Sequence, residues 1–370
     1  MRRVLHVLNA LQRSGAEVML VSALPHFRAA GYETHVLSTG VDRGGFAPAL
    51  ERAGCVVHHI PFDRRLAFAH RFHRLVAAVK PHVTHVHCER AAPLYAGLAA
   101  PSARVIRTIH ACFDFTGTLR LRKGGERWLC RRVFGVIHAA PSPSVRDNER
   151  HRFMNDTALC PNWYDDSRFF PPTDAERHAA RRDLGFAPDD FVVASVGNHE
   201  PVKNYHRALQ AIRQLPPERR VRFLHVGRPI DPSTGESLPQ LAAGLDLSDQ
   251  ARFVGQSDEV PRYLHAADIH MMPSMREGFG MAAVEAMASG LPQILADVPG
   301  LADFKGIAPG VVHASPTVNG LAAALAAMSA ISDAERRQAG LAIAVAARSR
   351  FSTATGVARY VQLYGSSNSC

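Results

Sequence analysis

The clearest chemical pattern in the sequence lies between Pro273 and Gly290, in the stretch PSMREGFGMAAVEAMASG. An apolar run that predicts a strand comes before this stretch, and a helix is predicted to start near Phe279 or Gly280. A strand, a glycine loop and a helix in this order direct free backbone N–H groups and the positive end of the helix dipole at an anion. The pattern therefore predicts a site for a phosphate group.

Two glutamates flank this predicted phosphate site. Glu277 stands in the loop just before the helix, and Glu285 lies about one and a half turns inside it. Carboxylates are poor partners for phosphate but accept hydrogen bonds from hydroxyl groups, so the pair favours a ligand that carries a sugar. The alternative, in which Glu277 only caps the helix and Glu285 only faces solvent, remains open.

The same glycines also match a dinucleotide-binding fingerprint. The spacing is Gly278-x-Gly280-x-x-Ala283, and Asp297 follows a second predicted strand. In a dinucleotide site the strand runs straight into the first glycine, whereas here five residues, 273–277, come between them. NAD binding is therefore the less favoured interpretation.

The elements around this stretch predict an α/β protein. Short apolar runs rich in β-branched residues alternate with helical stretches, which is typical of parallel sheets covered by helices. At 370 residues the chain exceeds the roughly 250–300 residues at which a single core stops growing. We expect two doubly wound, Rossmann-like domains that face a cleft, at 1–170 and 171–350. A C-terminal helix, 351–370, is expected to return toward the first domain and end in a loose tail.

The boundary between the domains is predicted from composition. The segment Pro161 to Asp190 is rich in proline and mixed charge, so we expect a linker there. Six predicted strands precede this segment and five follow it.

The positive charge is concentrated in the first half of the chain. The net charge is +10, and Lys and Arg exceed Asp and Glu by 11 within residues 1–170. One segment combines basic and aromatic residues: Arg120, Arg122, Lys123, Arg127, Trp128, Arg131 and Arg132. This patch predicts either a solvated helix face or a surface for an anionic acceptor or lipid headgroup. No recognition motif for nucleic acid accompanies it.

Composition also limits location and cofactors. No apolar stretch reaches the ~18 residues of a membrane-spanning helix, so we expect a cytoplasmic protein, with the basic patch allowing peripheral contact with the inner face of a membrane. The six cysteines form no C-x-x-C pair or metal-ligand spacing, so neither a metal nor another cofactor is expected.

The spacing Glu277-x7-Glu285 within EGFGMAAVEAMASGLP resembles the signature of the family 4 retaining glycosyltransferases of GT-B fold. The similarity extends along most of the chain. It includes VLHVLNALQRSGAE at the start, the end of the TIH strand at 108–110, LCPNWYDDSRF, VGNHEPVKN, FVGQSDEVPRYLHAADI and QILADVPG.

The resemblance implies roles for the residues around the glutamates. The position of Glu285 holds the ribose hydroxyls of a nucleotide-sugar donor, and that of Glu277 contacts hydroxyls of the transferred sugar. Lys203 matches a lysine that binds the diphosphate. Backbone groups that meet the donor sugar and diphosphate are implied at Phe279, Gly280 and Met281. Gly278 is expected to bind the donor too, because a glycine lets the backbone approach a ligand closely.

Three further positions complete the implied donor site. His110 matches a histidine that contacts the donor sugar near the reacting carbon, although a histidine buried in the core is the simpler interpretation of the residue alone. Gly15 matches a glycine that lets the backbone approach the donor. At Asn198 the family usually has an arginine, so we expect Arg228 or Arg276 to compensate, or Lys203 and the helix N-terminus to hold the diphosphate.

The implied activity is transfer of a hexosyl group from a nucleotide sugar to an acceptor hydroxyl with retention of configuration. UDP is favoured over GDP as the nucleotide of the donor. The sequence contains no D-x-D motif, so activity without a divalent metal is expected. The basic first half favours an anionic or lipid-linked glycan acceptor in cell-envelope or exopolysaccharide assembly. The alternatives are a small secondary-metabolite acceptor, or a GT-B protein that binds or epimerises a nucleotide sugar.

Overall fold

The computed structural model describes residues 1–12, 15–63, 65–230, 235 and 237–365. The chain folds into two compact units. Unit 1 is Met1–Trp163 together with the C-terminal helix, and unit 2 is Tyr164–Ser352. The predicted tail falls on residues 366–370, which lie outside the described residues.

Unit 1 contains one parallel sheet of seven strands in the order β3-β2-β1-β4-β5-β6-β7. The strands are β1 (Arg2–Leu8), β2 (Tyr32–Ser38), β3 (Val56–His59), β4 (Val83–Val86), β5 (Arg104–Thr108), β6 (Ile137–Ala140) and β7 (Ala158–Leu159). The helices are α1 (Gly15–Ala29), α2 (Ala47–Arg52), α3 (Arg65–Val79), α4 (Ala92–Ala99), α5 (Gly117–Arg132) and α6 (Pro143–Phe153), and the C-terminal α14 (Thr353–Gly365) packs on α1.

Unit 2 contains a second parallel sheet, of six strands in the order β10-β9-β8-β11-β12-β13. The strands are β8 (Phe191–Val196), β9 (Val221–Val226), β10 (Ala251–Gly255), β11 (Ile269–Met272), β12 (Gln293–Ala296) and β13 (Val311–Ala314). The helices are α7 (Asp174–Asp183), α8 (Tyr205–Arg213), α9 (Leu238–Gly244), α10 (Val260–His265), α11 (Met281–Ala288), α12 (Val318–Ala330) and α13 (Asp333–Phe351).

Both sheets have the doubly wound order, which confirms the predicted fold class. In each sheet the chain starts at a central strand, moves outward to one edge and then crosses to the other side. Ligands of such sheets bind outside the carboxyl ends of the strands, at the point where the direction of winding reverses. In unit 2 that point lies between β8 and β11, so the segments that follow these two strands are where a ligand site is expected.

Two strands were not predicted from the sequence. β7 has only two residues, too few to show a pattern, and β13 is a half-buried edge strand of four residues. The predicted linker is also wrong in its middle, because α7 forms within it. Thr173 and Glu176 make a reciprocal capping box at the start of α7, and this local stabilisation outweighs the prolines on either side.

None of the helices in the described part of the chain is long and apolar enough to cross a membrane.

Candidate functional site

The segments that follow β8 and β11 in unit 2 are tied together by Asn204. This residue adopts a left-handed backbone conformation, with φ +61°, at the start of α8, and its side chain is buried. The side-chain amide donates hydrogen bonds to the carbonyl oxygens of Pro273 (2.9 Å) and Pro316 (3.1 Å). The backbone N–H of Met275 also donates to the Val202 carbonyl at 2.8 Å. These bonds hold the segment that carries Lys203 against the loop that carries Glu277.

Lys203 and Glu277 form the central ion pair of this site. The Lys203 Nζ atom lies 2.7 Å from Glu277 Oε1, and the two side chains are 21% and 12% exposed. The lysine closes a short 3-10 turn, Pro201–Lys203, after β8. One of its three N–H donors is used by the glutamate, so the ammonium group can bind an anion while it stays in place.

Gly300 lets the loop of Glu277 pack closely against the next loop. Its φ is +88°, and a Cβ at this position would lie 2.4 Å from the carbonyl oxygen of Glu277. Any other residue at 300 would therefore have to displace the Glu277 backbone. Glu277 is thus held from two sides: Lys203 pairs with its carboxylate, and the 298–300 segment packs against its backbone.

α11 begins where the sequence predicts. Gly280, with φ +85°, caps the helix, and Met281 is its first residue. The Phe279 side chain is buried against Phe304 and Phe351, so only its backbone remains available to a ligand. The Ala283 N–H donates to the Gly280 carbonyl at 3.0 Å, whereas the N–H groups of Met281 and Ala282 precede the first helical hydrogen bond. This end of α11 carries the positive end of the helix dipole.

Glu285 is the fifth residue of α11 and is half-buried. The predicted donor residues of unit 2 thus lie on the segments that follow three strands: Asn198 and Lys203 after β8, Arg228 after β9, and Glu277 to Glu285 after β11. The segments after β8 and β11 lie where the winding of the sheet reverses.

Asn198 stands where the resemblance implies an arginine but carries no charge. Its side chain binds a backbone group instead. Its Oδ1 accepts a hydrogen bond from the Arg228 N–H at 3.2 Å, which leaves its amide N–H groups to donate. The Arg228 and Arg276 side chains are exposed. Gly227 makes the approach of these loops possible, because a Cβ there would lie 1.9 Å from the carbonyl oxygen of Gly197.

His110 and Gly15 belong to unit 1. Gly15 is the first residue of α1, and His110 follows β5. The Nε2 atom of His110 lies 3.0 Å from Nδ1 of His87, and burial lowers the pKa of His110 to about 4, so the ring is neutral at pH 7. His87 and its neighbour His6 were not predicted from the sequence as site residues. The sequence shows them only as polar residues within or just after apolar strands, in VLHVL and VTHVHC.

The predicted basic patch divides into a buried and an exposed set. Lys123 and Arg127 are buried, which corrects their assignment to a surface. Arg127 makes two hydrogen bonds to Glu149, at 2.6 and 2.9 Å, and Lys123 pairs with Glu89 at 3.2 Å. These two residues stand four apart on the face of α5 that turns inward. The partly or fully exposed members are Arg120, Arg122, Trp128, Arg131 and Arg132.

Two family models match the chain. The model of Glycosyltransferase Family 4 matches residues 13–168, and that of Glycosyl transferases group 1 matches residues 176–340. Similar curated proteins include the D-inositol 3-phosphate glycosyltransferase of Nocardia farcinica, 37% identical over 34% of this chain and 30% of that protein. The mannosylfructose-phosphate synthase of Agrobacterium fabrum is 34% identical over 39% of this chain and 33% of that protein. The chain thus spans about a third of the length of these relatives.

Solved structures are similar over almost the full chain. A glycosyltransferase from Rickettsia africae superposes with a TM-score of 0.84 and 17% identity, covering 98% of this chain and 97% of that one. Anabaena Alr3699/HepE, in complex with UDP and glucose, superposes with a TM-score of 0.83 and 18% identity, covering 99% and 100%. At these identities the likeness shows the fold. With the two family models, which together match most of the sequence, it shows that the chain belongs to the family 4, group 1 glycosyltransferases of GT-B fold.

Proposed function

We propose that this chain transfers a hexosyl group from a nucleoside-diphosphate sugar to an acceptor hydroxyl with retention of anomeric configuration. UDP is favoured over GDP as the nucleotide of this donor. The observation that carries the proposal is the Lys203–Glu277 pair, on segments that meet where the sheet of unit 2 reverses its winding. A diphosphate needs cationic and N–H donors, and a sugar needs carboxylate acceptors. This site offers both on two adjoining segments, one after β8 and one after β11.

Each residue then has a defined task. Lys203 and the first turn of α11 bind the diphosphate and stabilise the negative charge that grows on it as it leaves. Glu277 accepts hydrogen bonds from hydroxyls of the transferred sugar, and Glu285 from those of the ribose. His110 contacts the donor sugar.

The reaction exchanges one bond at the anomeric carbon. The bond to the diphosphate oxygen breaks, and a bond to the acceptor oxygen forms on the same face of the sugar. The proton of the acceptor hydroxyl passes to the leaving diphosphate. Because protein cations and N–H groups can stabilise this leaving group, the proposal includes activity without a divalent metal.

Product analysis tests the transfer itself. Wild type and Lys203→Ala are incubated in EDTA with UDP-glucose, UDP-N-acetylglucosamine or GDP-mannose, and with D-inositol 3-phosphate or a polyprenyl-diphosphate-linked sugar. We expect a new glycoside with one donor, with the anomeric configuration of that donor by NMR, and much less of it from the variant. An epimerised donor without a glycoside would support the alternative activity instead, and turnover that appears only with added Mn²⁺ would contradict metal independence.

We further propose that the acceptor is an anionic or lipid-linked glycan of envelope or exopolysaccharide assembly, reached at a membrane surface by α5. Leu121 and Trp128 are 75% and 62% exposed and stand seven residues apart, on one side of the helix. Arg132 lies four residues after Trp128, on the same side. Apolar and aromatic side chains beside arginines are typical of helices that lie in the interface of anionic membranes. Without such a surface, a small secondary-metabolite acceptor is the better candidate.

Vesicle sedimentation tests the membrane surface. We expect wild type to bind vesicles of phosphatidylglycerol and phosphatidylcholine more tightly than vesicles of phosphatidylcholine alone. The double variant Leu121→Ser/Trp128→Ser should lose ~10-fold or more in partitioning, because two apolar side chains no longer insert. The control Val41→Ser/Leu66→Ser removes two residues that are 96% and 88% exposed elsewhere in unit 1, and it should bind like wild type. Equal binding to both vesicle types would contradict the membrane contact.

A further inference from the structure

Three histidines form a row across neighbouring strands of unit 1. His6 lies in β1, His87 follows β4 and His110 follows β5, and these three strands are adjacent in the sheet. The Nδ1 atom of His6 is 3.0 Å from Nε2 of His87, and Nδ1 of His87 is 3.0 Å from Nε2 of His110. The row therefore runs continuously from the interior of the unit to His110.

The ring geometry is that of a hydrogen-bonded chain. Both pairs of rings have centroids 5.3 Å apart and planes inclined by only 20° and 21°. A separation of 5.3 Å is what results when a 3.0 Å N···N contact lies along the line between the two ring centres. Each contact is thus a straight N–H···N hydrogen bond between edges of the rings.

This geometry does not suit a metal ion, although ligand atoms of His6, His85 and His87 lie within 4.8 Å of one another. An ion midway along a 3.0 Å N···N contact would lie ~1.5 Å from each nitrogen, shorter than the ~2.0–2.1 Å of a zinc–imidazole bond. His85 is also engaged elsewhere, since its two nitrogens are each 2.7 Å from a hydroxyl, of Tyr364 and of Thr108.

All three rings of the row are neutral at pH 7. Burial lowers the pKa of His6 to about 3 and that of His110 to about 4, and it lowers the pKa of His87 well below its ordinary value. A neutral ring carries one proton, so the row has two possible arrangements. In the outward arrangement each ring carries its proton on Nδ1, and in the inward arrangement each carries it on Nε2.

The inner end of the row distinguishes these arrangements. The Nε2 atom of His6 is buried and has no hydrogen-bond partner among the described residues. The inward arrangement would place an N–H group there without an acceptor, and buried N–H groups without partners are rarer than unpaired acceptors. The outward arrangement leaves only a lone pair at this position.

We propose that His6 and His87 are positioning residues that hold His110 in the tautomer protonated on Nδ1. His110 then presents an N–H donor, not an acceptor, to its ligand. The role of that ligand rests on the proposed function, in which His110 contacts an oxygen of the donor sugar. The tautomer itself is a property of the unliganded protein.

The tautomer is measured by ¹⁵N NMR of protein labelled at histidine, with the His110 signals assigned from a His110→Gln spectrum. We expect wild type to carry the His110 proton on Nδ1. A matched pair of variants tests the cause. Asparagine at position 6 can still donate to His87, whereas an aspartate can only accept, and such a pair imposes opposite tautomers on a neighbouring imidazole. His6→Asn should leave His110 unchanged, and His6→Asp should move its proton to Nε2.

Activity supplies the second measurement. We expect His6→Asp to lower kcat for the nucleotide sugar ~10-fold or more, with His6→Asn much closer to wild type. A wild-type His110 protonated on Nε2, the same His110 tautomer in both variants, or one equivalent of bound zinc in the purified protein would each overturn the proposal. If His6→Asp does not fold, the wild-type spectrum still shows which nitrogen of His110 carries the proton, and so still tests the proposal. If the tautomers are as expected but no sugar is transferred, the proposed function fails and the positioning of His110 stands.

Discussion

We expect Lys203→Ala to lower kcat/KM for the nucleotide sugar by ~10²–10³-fold. This is the usual loss when one donor that stabilises a developing negative charge is removed. Lys203 is one of only four lysines in the chain, and its Nζ is held at the loop before α11 by Glu277, 2.7 Å away. Alanine would leave the diphosphate with the helix N-terminus and the uncharged Asn198.

The control for this prediction separates the ion pair from the binding of phosphate. Glu277→Gln breaks the same ion pair but keeps the Lys203 ammonium group. In the proposed site, residue 277 contacts the sugar and not the diphosphate. Calorimetric titration with UDP, which carries no hexose, should show weaker binding to Lys203→Ala, whereas Glu277→Gln should bind UDP at least as tightly as wild type. If UDP binding were weakened equally in both variants, the Lys203–Glu277 pair would act only by shaping the loop before α11, and Lys203 would not bind the diphosphate.

The second large effect concerns stability: Arg127→Met should lower the free energy of unfolding of unit 1 by about 3–5 kcal/mol. Arg127 and Glu149 are both fully buried and joined by two hydrogen bonds. Removing one partner of a buried pair leaves an uncompensated charge, which costs about this much, whereas replacing both partners with apolar residues is often neutral.

The chain offers a direct readout for this prediction. Its two tryptophans, Trp128 and Trp163, both lie in unit 1, so urea unfolding followed by tryptophan fluorescence reports on that unit. The exposed Arg132→Met should change the free energy by less than ~0.5 kcal/mol. The double variant Arg127→Met/Glu149→Leu should recover part of the loss. A single Arg127→Met variant as stable as wild type would show that the buried pair does not anchor α5.

The strand, glycine loop and helix from β11 to α11 could be predicted from the sequence because their determinants are local. Gly280 must adopt a positive φ to start α11, and the strand, loop and helix follow one another within about twenty residues. The type of sheet could also be predicted, since alternation of strands and helices favours doubly wound parallel sheets. Short edge elements such as β7 carry too few residues to show a pattern.

The sequence could not predict contacts between residues far apart in the chain. Lys123 and Arg127 read as surface charges because the carboxylates that bury them, Glu89 and Glu149, lie on other elements. The row of His6, His87 and His110 likewise depends on the order of three strands. Only the register of the sheet shows that these rings meet.

Binding of a nucleoside diphosphate to unit 2 is the central claim, and calorimetric unfolding tests it most directly. Wild type and Glu285→Ala are heated with UDP, GDP, ADP, dTDP or NAD, since a ligand at ~100 times its dissociation constant stabilises the folded state by about 2.7 kcal/mol. We predict that one nucleoside diphosphate, UDP first among them, raises the Tm of wild type and that Glu285→Ala loses most of this shift. A shift with NAD alone would make the glycine loop a dinucleotide site and contradict the account.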